Sequence, residues 1–190
     1  MAGNLPGRSI HDLTAAAWFG GSLMGAIGLN GAAARAKDPE ERTRLTTIGW
    51  RRWGPIQTGA VVLHLLADLD VTAHNAPRSA VQHGMHRINT YKAVVTLVGA
   101  GVTLWTAVVG NRYGKLVEAD ARKGQPAAGA TEPAPGTSPE LARVQRKLQR
   151  LQWLQAIFGG WIIVVGAKEG EMQRPHNVAK GVVRKALRRR

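Results

Sequence analysis

Four long stretches of this sequence carry almost no charge, while its basic residues crowd into the segments between them. Leu13 to Ala34 runs 22 residues without a charged side chain. At about 1.5 Å per helical residue that length crosses a hydrocarbon core about 30 Å thick. A second stretch, Gly54 to Leu69, follows Arg51-Arg52-Trp53; it places Pro55 in its first turn and carries Asp68 near its end. The third, Ala93 to Gly110, lies between Lys92 and Arg112, and the fourth, Leu151 to Ala167, holds Trp153, Trp161 and the apolar run Ile162 to Val165. A basic soluble domain has no reason to segregate charge in this way. The pattern predicts an all-α polytopic membrane protein, a bundle of four transmembrane helices.

The connections fill in the organisation. Residues 1–121 hold the first three spans. Residues 122–139, with Pro126, Pro133, Pro135, Pro139 and three glycines, have the composition of a flexible linker. Thr137-Ser138-Pro139-Glu140 has the T-x-x-E spacing of a capping box. It predicts a helix start, and residues 140–167 form an amphipathic lead-in and the fourth span. Residues 168–190 are a basic tail. Ala32-Ala33-Ala34 imitates a signal-peptide cleavage site. The apolar run before it exceeds the usual length of about 7 to 15 residues, however, so the first helix is expected to be retained.

Net charge is +14, from 26 Lys and Arg against 12 Asp and Glu, which alone would suit nucleic acid or an anionic membrane. No aromatic residue interleaves with the tail's charges to stack on bases, which argues against nucleic acid. Arg184, Lys185, Arg188, Arg189 and Arg190 instead read as a short surface helix on anionic lipid headgroups, or as a solvated disordered tail. Arg35, Lys37, Arg51, Arg52, Arg112, Lys115, Arg146, Lys147 and Arg150 flank the spans on the side of the first and third connections. By the positive-inside rule that side is cytoplasmic, with both termini outside the plasma membrane. The chain has no cysteine, which removes disulfides, thiolate metal sites and thiol nucleophiles. No serine elbow, metalloprotease motif or nucleotide loop is present, so no enzyme activity is expected.

Each span has one small or polar face. Thr14, Ala17, Gly21, Gly25, Gly28 and Ala32 align on the first and include a G-x-x-x-G pair that lets another backbone approach. Gln57, Ala60, Val61, His64 and Asp68 align on the second, Thr96, Gly99, Thr103, Thr106 and Gly110 on the third, and Gln152, Gln155, Gly159 and Gly166 on the fourth. Gly99 and Gly159 join the first-span glycines as candidate packing positions.

Ionisable residues gather toward one end. His64 and Asp68 are one helical turn apart, so the imidazole is expected to bond the carboxylate; Lys92 and His11 open their spans at the same level. His83, Met85 and His86 lie in the adjoining connection. One reading is a buried polar site that fixes helix register. The alternative is a copper or haem site, since His and Met suit copper and paired His suits haem iron.

The segment His11-Asp12-Leu13-Thr14-Ala15-Ala16-Ala17-Trp18-Phe19-Gly20-Gly21 is an H-x6-W-x-G-G arrangement. It resembles the opening helix of the copper-resistance D (CopD-like) membrane domain. Trp50-Arg51-Arg52-Trp53-Gly54-Pro55 and Gln173-Arg174-Pro175 look like a group of actinobacterial four-helix membrane proteins. The first resemblance implies a polytopic protein that handles copper or senses its surroundings, with His11 as the motif residue. From the residues themselves, the leading expectation is a non-catalytic membrane bundle, self-associating or an accessory subunit, without a cofactor. A copper- or haem-binding protein is the alternative and a small transporter the third reading.

Overall fold

Helix α1 (Leu5–Met24) begins where the Asn4 side chain accepts the Gly7 N–H at 3.2 Å, with Pro6 in the first turn. The computed structural model describes residues 4–124, 129 and 131–187, and all regular structure among them is helical. A π-helical turn, Gly25–Leu29, and the short α2 (Asn30–Ala33) continue α1. Then come α3 (Pro39–Val81), α4 (Met85–Ala121), α5 (Pro139–Met172) and the terminal α6 (Pro175–Leu187).

Among the described residues three helices are long and apolar enough to cross a membrane: Pro39–Pro77 within α3, α4 and α5. The sequence pattern predicts four. The first stretch differs for two reasons. Its unbroken α-helix ends at Met24, where the π turn starts, and it begins at Leu5, so it takes in Arg8, His11 and Asp12. The other spans outgrow their uncharged stretches. Pro55, placed by sequence in a first turn, lies well inside the 43-residue α3, because the exposed Arg51 and Arg52 do not stop a helix. The α5 cap also differs. Ser138, not Thr137, accepts the Leu141 N–H at 3.3 Å; Thr137 accepts from Ala134 N–H at 3.0 Å, and Glu140 turns to Arg112 at 2.5 Å.

Helix α1 packs on α3 and α5, and α4 packs on α5 and α3. Trp18, Val61, Val95, Ala100 and Ile162 form the central core, while Val109, Tyr113, Leu141, Val144, Leu148 and Leu151 form a second where α4 and α5 run on together. Around these, Ser22, Gln57, His64, Thr96, Gln145 and Gln155 are buried, while Leu66, Leu97, Leu104, Val108, Ile157 and Val164 face outward.

The glycine faces act partly as expected. A Cβ at Gly159 would meet the Phe19 backbone at 3.0 Å, a close helix approach, and one at Gly99 would meet Phe158 at 3.0 Å and Trp18 at 3.2 Å. Gly21 and Gly25 make room for side chains instead of a backbone, since a Cβ there would fall on the Trp53 and Trp50 rings. Gly28 faces only Met24 of its own turn.

Within the stretch expected to be a flexible linker, the Gly129 carbonyl is captured by Tyr113 Oη at 2.8 Å and Gln145 Nε2 at 2.6 Å. The stretch is too poor in apolar residues for a core of its own, yet two buried side chains of α4 and α5 hold it at this point. Residues 125–128 and 130 lie outside the described set. Helix α6 is tied back to the α3–α4 turn, with His83 N–H on the Gly181 carbonyl at 3.2 Å and Lys185 Nζ on that of Ala80 at 2.5 Å. Arg184 and Lys185 sit in its last turn; Arg188, Arg189 and Arg190 lie outside the described residues.

Candidate buried ionic site

Four helices each deliver ionisable groups to one level of the bundle. Lys92 of α4 places its ammonium 2.6 Å from Asp68 Oδ1 of α3 and 3.0 Å from Glu169 Oε2 of α5. Side-chain exposures are 4% for Lys92, 12% for Asp68 and 7% for Glu169, so water does little to screen these charges. Asn75 Nδ2 donates to the other Glu169 oxygen at 3.2 Å. One ammonium thus faces two carboxylates.

Helix α1 adds His11, whose two nitrogens face opposite ways. Nδ1 lies 2.8 Å from Asp12 Oδ1, whose side chain is 79% exposed, and Nε2 lies 3.7 Å from the buried Asp68 Oδ1. The His64 ring packs beside it, centroids 4.4 Å apart, and meets the Trp18 ring in a T-shaped arrangement with centroids 5.9 Å apart. His64 Nδ1 is 3.1 Å from the His11 carbonyl, a pure acceptor, so Nδ1 carries the proton and donates it. The expected His64–Asp68 bond gives way to this one, because α1 brings a carbonyl to the imidazole and α4 brings an ammonium to the carboxylate.

His11, His64, Asp68 and Lys92, singled out by sequence, are thus brought together. The other three candidates stay apart. Met85 is fully buried at the start of α4, seven positions and about 10 Å along the helix from Lys92. His86 is exposed beside it, and His83 binds the Gly181 carbonyl through its backbone. Among the described residues no group of three or more His, Asp or Glu is arranged to hold a metal ion.

Glu169 and Asn75 complete the site from outside the stretches that sequence marks. A signal for Glu169 does exist: Gln152, Gln155, Gly159, Ile162, Gly166 and Glu169 keep the three- and four-residue spacing of one buried face. Ending the fourth span at its last apolar residue cuts that face short.

A second polar layer lies further along the bundle. Gln57 Nε2 donates to Gln155 Oε1 at 2.8 Å and to Ser22 Oγ at 3.0 Å, and accepts the Trp53 indole N–H at 2.8 Å through Oε1. Asn30 donates to Gln152 at 2.8 Å and accepts from the Trp50 indole at 3.0 Å. Trp18 stands between the two layers, its indole N–H on Thr103 Oγ1 at 3.1 Å.

No protein-family model, curated protein or solved structure matches this chain. What defines its class is the all-α bundle with three helices able to cross a membrane and a buried ionic cluster drawn from four helices.

Proposed function

We propose that this chain is a multi-pass plasma-membrane protein in which α1, its π turn and α2 join α3, α4 and α5 as a fourth span. It acts as a non-catalytic bundle, either self-associating or an accessory subunit of a larger membrane complex. The observation that carries this reading is the inverted distribution of polarity. Large apolar side chains point away from the bundle on α1 and its π turn as on the long helices, with Leu13 71% and Ile27 56% exposed, while carboxylates, imidazoles and amides are buried. In water each such apolar side chain forgoes about 1.5 to 3 kcal/mol of burial, whereas lipid supplies it. With the first and third connections cytoplasmic, the ionic site lies toward the outer face, and Lys180, Arg184 and Lys185 of α6 meet anionic headgroups there.

The cysteine-free sequence suits single-cysteine labelling in intact cells. Cysteines replacing Ala2 and His74 should label from outside, and those replacing Lys37 and the exposed Lys123 only after permeabilisation. Shared labelling of positions 2 and 37 would remove α1 from the spans, and the opposite pattern at all four would invert the orientation. An absorption spectrum with elemental analysis of the purified protein separates this reading from a copper- or haem-binding one.

A further inference from the structure

We propose that the cluster of Asp68, Lys92 and Glu169 is an exchangeable proton-binding site, and that His11 relays the proton to it from Asp12 at the surface. The inference deepens the membrane reading and rests on it. Its basis is charge balance and the two-sided position of one imidazole.

Lys92 neutralises one carboxylate and leaves the other uncompensated. In a buried site within a membrane an unbalanced charge is costly, and one proton removes it. The groups facing the cluster are His11 and Asp12 from α1, His64 and Asp68 from α3, Lys92 from α4 and Glu169 from α5. Of these, His64 is committed through Nδ1 to the His11 carbonyl, where it fixes the ring beside it. His11 alone reaches both an exposed acid and a buried one.

The transfer balances simply. Asp12 takes a proton from water and hands it to His11 Nδ1, while the proton on His11 Nε2 passes to Asp68 Oδ1. The imidazole gains one N–H and loses the other, and the net change is one proton moved from water to the cluster. Before transfer His11 accepts from protonated Asp12 and donates toward Asp68; afterwards both polarities are reversed. The outer contact, at 2.8 Å, is already a hydrogen bond. The inner one, at 3.7 Å, is longer than the roughly 2.7 to 3.2 Å of a formed bond, so the inner step waits on a small approach of the ring. Lys92 holds the capacity to one proton.

The test is proton uptake by the full chain in lipid nanodiscs after a pH jump, followed with an indicator dye, together with infrared difference spectra of the carboxyl groups. Wild type should take up about one proton per chain more than Asp68→Asn, which keeps every other proton-accepting group, and only wild type should show the protonated-carboxyl signal. His11→Gln should keep the amplitude and slow uptake by about 100-fold, a loss typical of a missing proton-transfer group. Asp12→Asn, an exposed change that leaves packing alone, should slow it by about tenfold as water takes over the entry step. Slowing in either variant at full amplitude supports the relay, because a merely structural role would not move the rate alone. Equal uptake by wild type and Asp68→Asn, or wild-type rates in both relay variants, overturns it. A protein shown by labelling to be multi-pass and yet taking up no more protons than Asp68→Asn would lose this inference and keep the membrane reading.

Discussion

Lys92 and Glu169 stand 77 positions apart in the chain and 3.0 Å apart in the bundle. The same ammonium also holds Asp68, so a single cation ties α3, α4 and α5. Lys92→Met leaves two carboxylates facing each other without it and should cost about 3 to 5 kcal/mol. Glu169→Gln keeps a one-to-one ion pair and an amide able to bond Asn75, and should cost about 1 kcal/mol. Thermal melting in detergent ranks the two. The Lys92→Met deficit should narrow from about pH 8 to about pH 5, because protons then replace the missing cation. A deficit independent of pH would show that Lys92 does not supply the compensating charge.

The glycines should respond in a graded way to leucine. Gly159→Leu meets the Phe19 backbone, which cannot swing aside, and should lose the most stability, about 3 kcal/mol. Gly21→Leu and Gly25→Leu meet the Trp53 and Trp50 rings and should cost about 1 to 2 kcal/mol as those rings turn out. Gly20, where a side chain would find nothing within 4 Å of its Cβ, is the control and should gain slightly from better helix propensity. Equal effects at positions 20 and 159 in thermal melts would mean that α1 and α5 are not in close backbone contact.

How much of this is legible in the sequence depends on the length scale of the signal. Periodicity places Gln57 and Gln155 inward and gathers His11, His64, Asp68 and Lys92 at one level, since each face repeats locally within its own helix. The partners across helices are not legible. Which group Asp68 bonds is decided by how α4 rotates against α3, and that rotation is a property of packing, with no local sequence mark. The π turn at Gly25–Leu29 is hidden for a related reason: its small and apolar residues suit an α-helix equally well. Helix ends escape a charge-based reading because charge marks the end of an apolar stretch, whereas α3 and α5 continue past it.

Gln57 joins three partners at the middle of the bundle. Gln57→Leu should cost about 1 to 3 kcal/mol by stranding Gln155, Ser22 and the Trp53 indole. The double variant Gln57→Leu with Gln155→Leu should cost less than the sum of the singles, since the two amides are lost together. Additive losses in a double-mutant cycle would break the network into independent contacts.

The tryptophans report the surrounding solvent. In single-tryptophan variants in bilayers, Trp161 and Trp105, 44% and 49% exposed, should be quenched by spin-labelled lipid, while the fully buried Trp18 stays bright. Trp105 carries the Lys147 ammonium 4.6 Å from its ring centre and should respond best to labels near the headgroups. Strong quenching of Trp18 would place it outside the core.

The π turn between Met24 and Asn30 gives the first helix one residue more than its length requires. If the same residues closed as an uninterrupted α-helix, Asn30 would be turned by about 100° away from Gln152 and Trp50. The π turn works as a timing key. It sets the phase between the ionic end of the helix, at His11, and the amide end, at Asn30, so that both face the same interior.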